Sequence, residues 1–391
     1  MHDVWKKLHG KGNIAIVLAG SFGALAIIRE LGKHGVSVVA VGEPDYIRKS
    51  KYCLDLNIKK PEEIMRFLKE LPRHVQEKPV LLTDNEEHLQ LLYDNWHSLS
   101  RFYLAPFDVT NRLLTDKCQL YEHALKAGIN APVTYTGDAQ LNVKTFPVIV
   151  KPINDDKLWA DSGLKYQKVY ECQNRNELIE TLNMLKRYEA DSVTQEIIPG
   201  DVTNLCCVTL YRNHLGTIMT GCVVKKMRQY PMNYGTGTVH LTCDQEKLIA
   251  YSKRLLEATN YIGVAMIEYK YDARSQTFFI IEVNGRFPVE TGIVKKLGND
   301  FVYRVYKDVV NPSRESRSYQ SPDKPVVWIY VLNHLRTIMQ KGSNRLKDLL
   351  GIIGKYRVQF ALWDWADPVP CLYFPKYVYK RIFHRGKAVN G

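Results

Sequence analysis

The chain has 391 residues, 45% hydrophobic and 24% charged, with a formal charge of +13. That is the composition of a globular protein of two or three domains. The positive charge is spread along the chain with no Lys/Arg block, so anionic ligands or surfaces are expected and nucleic acid is not. The eight cysteines show no CxxC pair or Cys/His ligand spacing, which argues against zinc and reads as reduced thiols. The opening stretch MHDVWKKLHGKG lacks the apolar core of a signal peptide, and no apolar run approaches the ~18 residues of a membrane span. A cytoplasmic location is expected.

Residues 13–19 form an apolar run typical of a buried parallel strand. The turn Gly20-Ser21-Phe22-Gly23 follows, then a helix from Ala24 to Lys33 and a strand over 36–41. This β-α-β unit places a glycine turn at a helix N-terminus, a ready anion site. The turn lacks the GxGxxG fingerprint and Glu43 is a weak ribose acid, so a turn needed only for chain geometry is an equal reading. A strand near 54–58, a helix from Pro61, a strand at 79–83 and a helix over 86–99 extend an open, doubly wound α/β domain.

A helix over 108–128 carries Asp116-Lys117 and ends at Gly128. In the strand FPVIVKP, Lys151 stands among apolar residues, where it meets an anion or snorkels to water. Residues 152–168 are polar and irregular, as in a mobile loop. A strand at 168–172, a helix at 176–188 and the strand VTQEIIPGD follow, the last ending in a Pro-Gly turn. The strands LCCVTLYR and TIMTGCVVKK form a hairpin across Asn213-His214. Arg228 is expected in a loop with Gly235-Thr236-Gly237. A helix over 245–259 leads to a second hairpin.

That hairpin, GVAMIEYKYDARSQTFFIIEVNGRFP, turns around Arg274, Ser275 and Gln276. Symmetry about Ser275 sets Glu268 opposite Glu282, with Lys270 and Asn284 on the same face. Ile267, Tyr269, Tyr271, Phe279, Ile281 and Val283 fall on the other, core-facing side. Facing carboxylates repel unless a cation lies between them. Two Glu oxygens and an Asn carbonyl with no His or Cys describe a hard-ligand site, for Mg²⁺ (or Mn²⁺). Arg286 beside it points to phosphate. Beyond ~310 come Pro-rich turns, the strand VVWIYVL and an aromatic, basic tail. The tail reads as an ordinary add-on to the domain that carries the hairpin, with contact to an anionic membrane surface or a polyanionic substrate as the weaker reading.

In this order the segments resemble the ATP-grasp superfamily, and within it the carboxylate–amine ligases and ATP-dependent carboligases. The likeness covers roughly residues 13 to 300 and rests on DK, a GIxAPxT-like segment, VIVKP, QEIIPGD, EYK and EVNGRF. It implies an α/β and α+β fold: an N-terminal open doubly wound α/β (pre-ATP-grasp) domain over 1–107, then a two-subdomain ATP-grasp fold over 108–310. The lid subdomain would span about 135–195, and 311–391 would be a C-terminal extension.

The resemblance further implies ATP and Mg²⁺ (or Mn²⁺). Lys117 and Lys151 would contact the phosphates. Glu196, Ile197 and Ile198 would form the adenine hinge, and Asp201 would bind the ribose. Glu268, Glu282 and Asn284 would bind the metal, and Arg286 would stabilise the transferred phosphoryl group. Arg228 would hold a substrate carboxylate or the acyl phosphate, or else is a surface arginine. Two departures stand out: the 152–168 loop has a single glycine, Gly163, and Gly285 follows Asn284 where Pro is common.

The implied activity joins a small-molecule carboxylate to an amine through an acyl phosphate. The acceptor pocket is expected between the Gly20–Gly23 turn, the Arg228 loop and residues 286–292. Relatives often dimerise, so a homodimer is one option. The alternatives are a carboxylase or carbamoyl-phosphate-type enzyme using bicarbonate and a non-catalytic ATP-binding protein. A nicotinamide oxidoreductase ranks fourth.

Overall fold

The computed structural model describes residues 8, 10–153, 169–315, 322–334 and 345–384. The expected loop at 152–168 therefore lies, from residue 154 on, outside the described residues, as does the side chain of Lys117.

Strands β1 (Ala15–Ala19), β2 (Val38–Gly42), β3 (Leu54–Asp55) and β4 (Val80–Thr83) form a parallel sheet in the order β3-β2-β1-β4. The connections run through α1 (Phe22–Lys33), α2 (Pro61–Glu70) and α3 (Glu86–Leu99). Every residue of β1, β2 and β4 is buried, which explains why these strands read as apolar runs without alternation.

The anion site expected at the start of α1 is already filled from within the chain. The Asp84 carboxylate accepts from Gly20 N at 2.8 Å, Ser21 Oγ at 2.5 Å and Ala24 N at 2.8 Å. The glycines serve packing: a Cβ on Gly23 would lie 2.6 Å from the Pro288 carbonyl oxygen, and one on Gly20 would lie 2.3 Å from the Asn85 Cβ. The reading of the turn as chain geometry is therefore the one the contacts favour.

The helix expected over 108–128 is broken. A single turn at Arg112–Thr115 precedes α4 (Lys117–Lys126), because Asp116 turns extended and caps α4 by accepting from Gln119 N at 2.9 Å. Gly128 closes the C-terminus at φ +68°.

β5 (Thr134–Thr136), β6 (Val148–Pro152), β7 (Tyr170–Cys172) and β8 (Ser192–Glu196) form a small antiparallel sheet in the order β5-β8-β6-β7. Helix α5 (Arg175–Arg187) buries Leu178 and Leu185 against it.

The largest sheet has seven strands: β9 (Leu205–Arg212), β10 (Ile218–Tyr230), β11 (Thr236–Thr242), β12 (Gly263–Asp272), β13 (Thr277–Asn284), β14 (Val326–Ile329) and β15 (Arg357–Phe360). Their order is β13-β12-β9-β10-β11-β14-β15. One face packs with α4 and α6 (Glu246–Ala258) around Val208, Ile267 and Tyr269. The other shares a core with α1 and α7 (Phe301–Val310).

The C-terminal segment thus extends the large sheet through β14 and β15, with α8 (Arg345–Lys355) beside them, and α9 (Val369–His384) returns to the parallel sheet. There Arg29 Nε meets Asp367 at 2.9 Å, and Asp367 also accepts from Ser50 Oγ and Lys51 N. Among the described residues no helix is long and apolar enough to cross a membrane.

Candidate functional site

The β12–β13 hairpin pairs Glu268 directly with Glu282, the register read from the sequence. The period-2 assignment fails beyond that pair. Register slips by one between Glu268/Tyr269, so Tyr269 faces Ile280 and Ile281 is the extra residue of a bulge. Phe278 and Ile280 consequently point into the core, and the expected Phe279 and Ile281 do not. The bulged Ile281 carbonyl is satisfied by Tyr121 Oη at 2.8 Å, and Ile281 lines the cleft beside Glu282.

That cleft, of about 570 Å³, lies between the small four-stranded antiparallel sheet and the seven-stranded sheet. The size suits a nucleotide-scale ligand. The small sheet contributes Lys151 and Gln195; the large one contributes Lys226, Glu268, Lys270 and Glu282. Lys151 is 9% exposed and its Nζ donates to Gln195 Oε1 at 2.8 Å, so it is held within the cleft wall rather than snorkelling.

Lys226 was not singled out from sequence. Its Nζ sits 2.8 Å from Glu268 Oε2, with both side chains buried. Burial works against the ammonium, but the Glu268 charge overrides it and holds the Lys226 pKa above its ordinary value. The cue would have been Lys226 on the same strand face as Glu268, which requires the register of β10 on β9 and of β9 on β12. Burial lowers the pKa of Lys270, the third lysine in the cleft.

At the far end of β13, Asn284 Nδ2 donates to Glu282 Oε1 at 3.1 Å, and Arg286 Nη2 donates to Asn284 Oδ1 at 3.3 Å. Arg286 Nε lies 3.4 Å from Glu86 Oε2 in the first turn of α3. Gly285 is there for contact: a Cβ would come within 3.1 Å of the Tyr261 hydroxyl, so a bulkier residue would crowd the strand end.

The connection after β8 forms the cleft's outer wall. Glu196 Oε1 accepts from Val133 N at 2.9 Å, so its carboxylate is committed to the fold. Ile197 and Ile198 line the cleft, and Ile198 is buried. Asp201 caps a short turn, accepting from Thr203 N and Oγ1 at 2.8 and 2.7 Å, which lowers its pKa.

Arg228 departs from expectation. It lies inside β10, opposite Val239, because the hairpin closes only at Gly235, where a Cβ would come 2.0 Å from the Pro231 carbonyl oxygen. It lines an adjoining cavity with Met227, Met232 and Tyr356, and is not among the described residues lining the cleft. The structure brings together Lys151, Glu196, Ile197, Ile198, Asp201, Glu268 and Glu282 on the cleft, with Asn284 and Arg286 at its end.

Among the described residues no group of three or more His, Cys, Asp or Glu is arranged to hold a metal. A site of two carboxylates with no imidazole or thiolate fits a cation that completes its shell with phosphate oxygens and water, the habit of magnesium.

A family profile described as "Carbamoyl-phosphate synthase L chain, ATP binding domain" matches residues 239–307, which include the hairpin and Arg286. The chain is 21% identical over 299 residues to D-aspartate ligase of Enterococcus faecium (strain Aus0004), covering 70% of this chain and 71% of the relative. Among solved structures it superposes on L-amino acid ligase from Bacillus licheniformis with a TM-score of 0.59 at 17% identity, covering 80% of this chain and 78% of that one. N5-carboxyaminoimidazole synthetase from Staphylococcus aureus gives 0.59 at 14%, with 82% of each chain covered. The biotin carboxylase domain of Hydrogenobacter thermophilus 2-oxoglutarate carboxylase, solved with magnesium ADP and bicarbonate, gives 0.60 at 14%, covering 80% and 73%. Motif order, sheet arrangement and these likenesses agree on the fold, which is the ATP-grasp fold.

Proposed function

We propose that the chain is an ATP-dependent carboxylate–amine ligase, forming an amide through an acyl phosphate and releasing ADP and phosphate. The observation that carries this reading is the pair Glu268–Glu282, face to face in a cleft that also holds Lys151, Lys226 and Lys270. A triphosphate needs both the cations and a divalent metal, and that is the charge pattern gathered here. D-aspartate ligase and L-amino acid ligase among the relatives are named for the same class of reaction.

In this reading, residues 1–107 are the pre-ATP-grasp domain, 108–310 the ATP-grasp domain with a lid at about 135–195, and 311–391 an extension. The backbone of Glu196, Ile197 and Ile198 holds the adenine, and Asp201 holds the ribose. Lys117 and Lys151 hold the phosphates. Glu268 and Glu282 would hold magnesium, with Asn284 orienting Glu282; when bound, the metal would offset phosphate charge. For Glu268 to turn to the metal, Lys226 must share or release it, and a phosphate oxygen is the natural new partner for its ammonium.

A carboxylate oxygen of the acid attacks the γ-phosphorus in line, the bond to the β–γ bridging oxygen breaks, and ADP leaves. Arg286 stabilises the equatorial charge at this step. The amine nitrogen then attacks the acyl carbon, the carbon–oxygen bond to phosphate breaks, and the amine proton leaves with phosphate or water. Positioning and charge neutralisation carry the catalysis, with no covalent nucleophile on the protein. Arg228, set in the adjoining cavity, would act only on a substrate portion that reaches past the cleft.

The test is magnesium-dependent ADP release from ATP against a panel of amino acids and small acids. The ligase reading expects release that needs both an acid and an amine. Release that needs bicarbonate and no amine would select the carboxylase reading instead. No stimulation by any pair would sink the ligase reading.

A further inference from the structure

A second cavity, of about 1180 Å³, opens where the carboxyl ends of β1, β2 and β4 meet the C-terminal segment. Its inner wall is formed by the start of α1 and the first turns of α3. Its outer wall comes from residues 330–333 and from α9. The two walls meet through aromatic rings. Phe22 and Tyr330 centroids are 4.1 Å apart, and Tyr46 meets Phe374 at 4.9 Å and Tyr377 at 5.1 Å, both edge-on.

The cavity's charge runs against that of the chain. In a molecule of net charge +13, the described residues that line it include Glu43, Glu87 and Asp94 against one lysine, Lys59. Lys59 pairs with Glu43 at 3.0 Å. His88, also in the wall, has a buried Nδ1 without a hydrogen-bond partner, and burial lowers its pKa, so it adds no positive charge.

The cavity borders the reacting end of the cleft. Arg286 contacts Glu86, next to Glu87, and Phe287 N donates to Thr83 O at 3.3 Å. Pro288 lies against Gly23 in the turn that forms the cavity floor.

We propose that this cavity is the pocket for the amine substrate, and that the C-terminal extension makes it selective for an amine bearing an aromatic or bulky apolar group. The inference rests on the ligase reading and adds to it a substrate class and a function for Tyr330 and for the Phe374–Val378 face of α9. The carboxylates receive the ammonium, and one of its protons passes to a carboxylate or to water so that the free amine can attack the acyl carbon. The rings of Tyr46, Tyr330, Phe374 and Tyr377 receive the body, by stacking and by the attraction of a cation to an aromatic face. A small hydrophilic amine would leave those rings wet and gain little.

The experiment is calorimetric titration of the full chain with phenethylamine, ethylamine and neutral 2-phenylethanol, with and without magnesium ADP. Phenethylamine should bind at least about tenfold more tightly than ethylamine, a difference of about 1.4 kcal/mol. Tyr377→Ala should weaken phenethylamine at least about fivefold. Glu87→Gln, on the exposed first turn of α3, should do the same to phenethylamine while leaving 2-phenylethanol unaltered, which separates lost charge from lost fold. Equal binding of the two amines, no phenethylamine binding, or indifference to both substitutions would overturn the proposal. Phenethylamine binding with no acid-dependent ADP release would sink the ligase reading alone. Turnover with small amines and none with aromatic ones would sink this inference alone.

Discussion

The cleft draws its chemistry from segments short in sequence. Glu268 and Glu282 come from one hairpin, and Lys226 comes from a strand of the same sheet. The neighbouring cavity joins Phe22 and Tyr46 near one end of the chain to Tyr330, Phe374 and Tyr377 near the other. The cleft's Lys226 and Glu268 are buried and paired; the cavity's carboxylates are largely exposed while its rings interlock. Reaction chemistry demands particular residue types at fixed spacing, whereas selectivity needs only a wall of suitable shape, which any two distant segments can build.

The sharpest way to break this contrast is at the cleft's carboxylates. Glu282→Gln removes one negative charge from the proposed metal face, and turnover should fall at least about 1,000-fold with the melting temperature little changed. Unaltered ADP release would remove the metal assignment.

Lys226→Met should cost about 3–5 kcal/mol in denaturant unfolding, because Glu268 is left buried without its partner. Added magnesium should recover part of that loss in the variant and more than it stabilises the parent. A variant as stable as the parent, or one blind to magnesium, would contradict the coupling between Lys226 and the metal face.

Two smaller effects probe α1, which supports the cavity rim at Phe22. Asp84→Ala strips three donors of their acceptor and should destabilise by about 2–4 kcal/mol, read by urea unfolding. A neutral result would mean that water replaces the carboxylate at no cost. Glu30, about two turns further along α1, has its pKa pushed up to about 7 by burial, from an ordinary 4.5. Between those values the unfolded chain has released a proton that the folded chain retains. Stability should therefore fall as pH rises from about 4.5 to about 7 and level off above, by about 1–3 kcal/mol for this group. Glu30→Gln should flatten that slope in thermal melts, and an unchanged slope would reject it.

The alternation of the parallel-sheet strands and helices was legible because fully buried strands and one-sided helices leave different apolar patterns. The Glu268–Glu282 pairing was legible because one short turn fixes a hairpin's register. The bulge at Ile281 was not: it depends on Tyr121 reaching the freed carbonyl from a helix distant in sequence. Nor was the anion site's internal occupant, since Asp84 reads as the end of a strand until β4 is seen beside β1. Lys226 escaped because its importance lies two strands away. Arg228 was misplaced because a Gly-rich stretch signals a loop, and here the glycine closes a tight hairpin instead. The tail's place as the outer wall of a cavity had no local signature.

The most direct test of the central claim, that the facing glutamates are the metal end of a nucleotide site, is the electron paramagnetic resonance of Mn²⁺ titrated into the full chain with ADP. The account predicts a protein-bound Mn²⁺ signal that requires ADP, present in the parent and lost in Glu282→Gln. A bound signal that persists in Glu282→Gln, or that forms equally well without ADP, would contradict it.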